Sequence, residues 1–281
     1  MKKVAYVFFL LYSALLMAES EIGGKEDNTT VSTVAQEEKT VVPQKTAVVA
    51  TRGDVKIIEA SENIRYLSQK IVKDYLFFYK HAKKDSLKKQ LNETLRYLTM
   101  DFRVIATTTK DSDTKDILEF LAYSKDQIEE ILKEVPDEEK AALMLDYSEI
   151  LLEGADSIAN AHKYDFTEEE KMFMLTKKIE YLLQRVTKYY MAIHVGFDTF
   201  SNNEQMEKSI SMLESNLNQI NTYQYPPDMQ ETQQALDTSW KFNKSYFKST
   251  KELFIPKLMM LSVTNVEDIV ANIALYHSKN Q

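Results

Sequence analysis

The stretch Asn63-Ile64-Arg65-Tyr66-Leu67-Ser68-Gln69-Lys70-Ile71-Val72-Lys73-Asp74-Tyr75-Leu76 decides the fold. Ile64, Leu67, Ile71, Tyr75 and Phe78 recur at steps of three or four, so the spacing predicts an amphipathic helix with its apolar stripe buried against other helices. Arg65, Ser68, Gln69 and Val72 form a second stripe bordering the first. A guanidinium, a hydroxyl and a carboxamide at the edge of a helical core are placed to converge on a small polar ligand.

The same period extends along the chain. Leu87, Leu91, Leu95, Leu98, Phe102 and Ile105 mark a second helix that Asp85 is placed to cap, and Ile117, Phe120, Leu121, Ile128, Ile131 and Leu132 mark a third capped by Asp113. After Val135-Pro136-Asp137, a fourth carries Leu143, Met144, Tyr147, Ile150, Leu151, Ala155 and Ile158. Thr167 with Glu170 then reads as a capping box opening a fifth helix, and Ser201 with Glu204 as one opening a sixth. Pro226-Pro227-Asp228 and Pro256 open the last two.

The second set resembles the first. Gln69, Lys73, Tyr75, Leu98 and Ile105 match Gln184, Lys188, Tyr190, Leu213 and Ile220 at one constant offset, and Val135-Pro136 matches Ile255-Pro256 with a small loop adjustment. Matched apolar spacing and helix count predict one ancestral unit used twice. The expected fold is all-α, two tandem four-helix-bundle modules at 55–164 and 165–281.

Composition agrees with long helices and short loops. The 281 residues include only 5 Gly and 5 Pro, too few for the turns of a β-rich or nucleotide-binding α/β fold. A formal net charge of -8 repels phosphate backbones and argues against nucleic acid as a partner. At the N-terminus, Lys2 and Lys3, the apolar run 4–17 and Ala18 before Glu19 have the layout of a cleaved secretory signal peptide, 1–18. The run is short for an uncleaved anchor. Residues 19–54 lack helical periodicity and read as a disordered linker. No later segment reads as long and apolar enough to span a bilayer; 253–261 is broken by Pro256 and Lys257. The expected location is therefore the periplasm.

The heptapeptide Arg65-Tyr66-Leu67-Ser68-Gln69-Lys70-Ile71 resembles the Arg-Met-Leu-Ser-Gln-Arg-Ile signature of the PilJ-type N-terminal sensor domain, found in pilus-linked methyl-accepting transducers and related to a segment of nitrate/nitrite sensor kinases. Such domains occur in tandem in that family, which also tends to carry a Trp where Trp240 stands. The resemblance implies a ligand-binding helix containing Arg65, a small ligand such as nitrate or another oxyanion, a membrane sensor kinase or chemoreceptor as partner, and a homodimer through the first helices.

The chemistry-bearing residues favour binding over catalysis. There is no Cys, and His81, His162, His194 and His277 are widely separated, with no metal pair at helical spacing. No phosphate loop or nucleophile elbow occurs, so the expectation is a non-enzyme without cofactor or metal. The candidate ligand residues are Arg65, Ser68, Gln69 and Val72, with Gln184, Arg185 and Lys188 as second-module candidates; there Glu180 stands in the place of Arg65 and Leu183 in that of Ser68. The alternative is a non-catalytic envelope scaffold, in which Arg65 is exposed and paired with Glu62 or Glu59. A concave pocket around an unpaired Arg65 would favour the ligand; a salt-bridged Arg65 on an open surface would favour the scaffold.

Overall fold

A computed structural model describes residues 51–81, 85–248 and 254–281. The signal-peptide reading and nearly all of the linker lie outside the described residues. The linker boundary moves slightly: Thr51 caps the first helix, and its side chain and that of Asp54 exchange hydrogen bonds with each other's backbone amides. Among the described residues every regular element is an α-helix. They are α1 (Arg52–Lys80), α2 (Asp85–Thr108), α3 (Ser112–Lys133), α4 (Glu138–Ala161), α5 (Glu168–Val195), α6 (Phe200–Thr222), α7 (Pro227–Lys248) and α8 (Pro256–Lys279).

Helix starts follow the short polar residues, with two corrections. Asp111, not Asp113, caps α3 by accepting from the Thr114 amide at 2.7 Å. Thr199, not Ser201, caps α6, accepting from the Asn202 amide at 3.1 Å, and no capping box forms there. In both cases an earlier side-chain oxygen already satisfies the free amide, so the helix begins before the expected cap. The Thr167–Glu170 box opens α5 as expected. Asp85 stands in the first turn of α2, where its charge favours the positive helix end.

The packing centres on α1 and α5. Helix α1 packs against α2, α4 and α5; α5 packs against α1, α6 and α8; α3 joins α2 to α4, and α7 lies chiefly on α8. The two central helices run in the same direction: Ile58 meets Met174 around one cavity, and seven residues further on Arg65 lies over Tyr181. Ile64, Ile71 and Tyr75 of α1 and Ile179, Leu182 and Tyr190 of α5 are fully buried, and the core runs across both helices without a break. The described residues accordingly lie within one compact unit.

The interior repeats at one offset from end to end. Ile64, Leu67, Leu98, Ile105, Leu121, Met144, Ile158 and His162 are buried or nearly so, and 115 residues later stand Ile179, Leu182, Leu213, Ile220, Leu236, Met259, Ile273 and His277. No loop adjustment is needed for this series. Pro136 and Pro256 are not equivalent, since Pro136 lies in the connector before α4 whereas Pro256 is the first residue of α8.

One expectation about the C-terminus needs correction. Helix α8, with a mean hydropathy of 1.4 over its most apolar window, is long and apolar enough to cross a membrane by length and composition. The break at Pro256 and Lys257 falls at its start, and the apolar series runs on behind it. Here α8 packs its Met259, Val263, Val266, Val270 and Ile273 inward.

Candidate functional site

Arg65 lies where α1, α4 and α5 meet. It is 6% exposed, and both terminal nitrogens hold carboxylates: Nη1 donates to Glu62 Oε1 at 2.7 Å, and Nη2 lies 3.2 Å from Asp156 Oδ1. The guanidinium carbon sits 4.1 Å from the centre of the Tyr181 ring, a cation–π contact that joins α1 to α5. Burial pushes the Glu62 carboxyl above its ordinary range, against the pull of Arg65. Glu62 Oε2 and Arg65 Nε have no hydrogen-bond partner among the described residues.

Above this cluster lies a cavity of about 660 Å³, roofed on one side by the connector 162–167. Glu62, Arg65 and Asp156 form its charged floor; Ile58, Ala159, Met174 and Leu175 supply apolar wall, and Lys163, Lys171 and Lys178 stand at the mouth. The three lysines are exposed and form no ion pair among the described residues. The volume falls within the roughly 300–1,000 Å³ typical of small-molecule sites.

The rest of the first stripe does not reach this cavity. Ser68 turns its hydroxyl back to the Arg65 carbonyl at 2.9 Å, and Gln69 Nε2 bridges to the Ser148 carbonyl of α4 at 3.0 Å. Both side chains are fully buried, as is Val72. None of the three lines the cavity that Arg65 faces. The helical period put all four residues on one stripe, but that stripe is shared between two neighbours, α4 and α5.

The second-module candidates also divide. Gln184 donates to Glu267 on α8. Arg185 and Lys188 converge instead on Glu149 of α4, each at 2.5 Å, and Lys188 further donates to the Ser148 hydroxyl at 2.9 Å. Lys188 is wholly buried, and burial lowers its pKa to about 8 despite the adjoining carboxylate. Burial raises the Glu149 pKa, but the two cations outweigh it and hold the group down at about 2. This triad ties α5 to α4, with Arg185 also donating to Gln205 at 3.0 Å; Arg185 Nε has no hydrogen-bond partner among the described residues.

Two polar clusters escaped the sequence reading. His162 Nδ1 donates to Asp54 at 2.8 Å, with Nε2 2.9 Å from the Thr114 hydroxyl. His277 Nδ1 donates to Glu169 at 2.5 Å, with Nε2 2.8 Å from the Tyr225 hydroxyl. Each ties the last turn of one helix to the first turn of another. The signal was present in the numbering, for His162 and His277 share the 115-residue offset with Asp54 and Glu169. His277 is fully buried, and its contact with Glu169 ties α8 to α5.

Charge at the Arg65 position is inverted in the second half. Glu62–Arg65 on α1 corresponds to Lys177–Glu180 on α5, a pair of 2.9 Å with the signs exchanged, and Ala271 stands in the place of Asp156. The repeat keeps the apolar framework and not the Arg65 chemistry. Comparison with protein-family models, curated proteins and solved structures finds no match to this chain.

Proposed function

We propose that this chain is a non-catalytic, all-helical sensor or ligand-binding protein that holds a small ligand in the cavity between α1, α4 and α5. The single observation that carries the reading is that cavity, which has a charged floor, an apolar wall and, at its mouth, lysines that form no ion pair among the described residues. It lies against both central helices, so an occupant has contacts through which to bias their packing. On this reading the chain comprises two tandem PilJ-like four-helix modules, 55–164 and 165–281. The constant offset of the buried series and the closed helix neighbourhoods α1–α4 and α5–α8 support that division. The protein is then periplasmic, exported by its signal peptide, and passes its signal to a membrane sensor kinase or chemoreceptor. The α1 face expected to pair two copies is covered here by α5, which supports an internal pseudo-dimer in place of a homodimer through the first helices.

One observation favours the envelope scaffold as a second reading. Arg65 faces a concave cavity, yet it is already held by Glu62 and Asp156. Thermal unfolding against nitrate, nitrite, other oxyanions and small organic acids separates the two. Native-state binding raises stability by about 2.7 kcal/mol at a hundredfold excess over Kd. A shift abolished by Lys171→Gln or Lys178→Gln at the mouth upholds ligand binding, whereas no shift with any compound transfers the case to the scaffold.

A further inference from the structure

The cavity's charge arrangement restricts what it can hold. A bare oxyanion needs free donors around a desolvated site, but both terminal nitrogens of Arg65 are engaged by carboxylates. Glu62 and Asp156 on the floor, with Asp165 beside the mouth, repel an anion brought close to them. Charge of both signs lines the cavity, carboxylates on the floor and Lys163, Lys171 and Lys178 at the mouth. A bare oxyanion matches only the lysines; a ligand carrying both a cationic and an anionic group matches both sets.

Resting on the ligand-binding reading above, we infer that the cavity takes a zwitterion, an α-amino acid with an apolar side chain. Its ammonium meets the carboxylates of Glu62 and Asp156. Its carboxylate meets the lysines of the mouth, with Lys178 near enough for its charge to act on Glu62. Its side chain lies against Ile58, Met174 and Leu175. A volume of about 660 Å³ admits such a molecule. The second half carries Glu180 for Arg65, Ala271 for Asp156 and Ser278 for Lys163, so the site is built once per chain.

The test is calorimetric titration of the full-length chain with the twenty L-α-amino acids, then with the deamino carboxylate and the decarboxylated amine of the best binder, and with nitrate. The expected result is binding by apolar amino acids and at least a tenfold loss when either charged group is removed. Glu62→Gln weakens binding at least tenfold, and so does Lys171→Gln or Lys178→Gln. The exposed lysine variants carry the test if the buried Glu62 variant loses its helical circular dichroism. Equal or tighter binding of the deamino carboxylate or of nitrate, with lysine dependence, overturns the zwitterion and leaves the ligand-binding reading standing. No heat and no thermal shift with any of these probes overturns both.

Discussion

The guanidinium carbon of Arg65 on α1 lies 4.1 Å from the centre of the Tyr181 ring on α5, while Glu62 and Asp156 hold its two ends. One side chain therefore joins three helices. Removing it leaves Glu62 buried without its cation, and breaking a buried pair from one side costs about 3–5 kcal/mol. Arg65→Met is expected to destabilise strongly and Glu62→Gln less so. The double variant should be more stable than the sum of the two predicts, by a coupling of about 0.5–3 kcal/mol in a urea double-mutant cycle. Additive effects would show that the pair does not act as a unit.

Gly154 of α4 packs closely against Leu121 of α3. A Cβ built there lies 2.5 Å from Leu121 Cδ2 and 2.9 Å from Leu121 Cγ, too close for the side chain to escape by a terminal rotation. Gly154→Ala should thus destabilise by about 1–3 kcal/mol, although Ala is the better helix former. Urea midpoints measure this, and a stabilised variant would show that the helices separate freely.

The two histidine clasps should differ in strength. His277 is fully buried, whereas the His162 side chain retains 11% exposure. His277→Ala leaves the hydroxyl of the buried Tyr225 without its partner, at a cost of about 1–3 kcal/mol for the unmade hydrogen bond beyond the lost packing. His162→Ala admits water and should cost less. Chemical denaturation of the two variants decides, and equal losses would refute the difference in solvation.

Glu149 gives the acid limb of stability a specific component. Its folded pKa, about 2, lies below the ordinary value of 4.5, so the unfolded chain binds more protons between those values. Its stabilising contribution is fully present above about pH 4.5 and is lost as pH falls toward 2. The stability difference between the parent and Glu149→Gln should therefore shrink across that window. A difference independent of pH from 5 to 2 would mean that the Arg185 and Lys188 contacts do not depress the carboxyl.

Much of the fold was legible because burial repeats at the helical period. Ile64, Ile71 and Tyr75 declared α1, and Pro256 declared the start of α8. The caps of α3 and α6 were misplaced by two residues, since Asp111 and Asp113, or Thr199 and Ser201, are chemically equivalent candidates and only the backbone chooses between them. The site was less legible. Periodicity gives a face but not the neighbours on that face, so Arg65 and Gln69 were grouped although Arg65 reaches Tyr181 on α5 as well as Asp156 on α4, while Gln69 turns to Ser148 on α4. Asp156, Lys171 and Lys178 are distant in sequence and read alone as solvated charges. Convergence of three helices and a connector is a tertiary fact, and no single segment encodes it.

The ammonium of Lys188 has a bearing on how the chain avoids misassembly. Segments that share an apolar pattern are prone to pair wrongly while folding. Lys188 finds Ser148 and Glu149 on α4, whereas 115 residues later those positions are Val263 and Thr264. Lys73, 115 residues before Lys188, lies 3.3 Å from Asp74 on its own helix, and its charge also acts on Glu267 of α8. Each buried ammonium is thus matched to particular carboxylates, and a packing that parts Lys188 from Glu149 leaves an uncompensated charge in the interior.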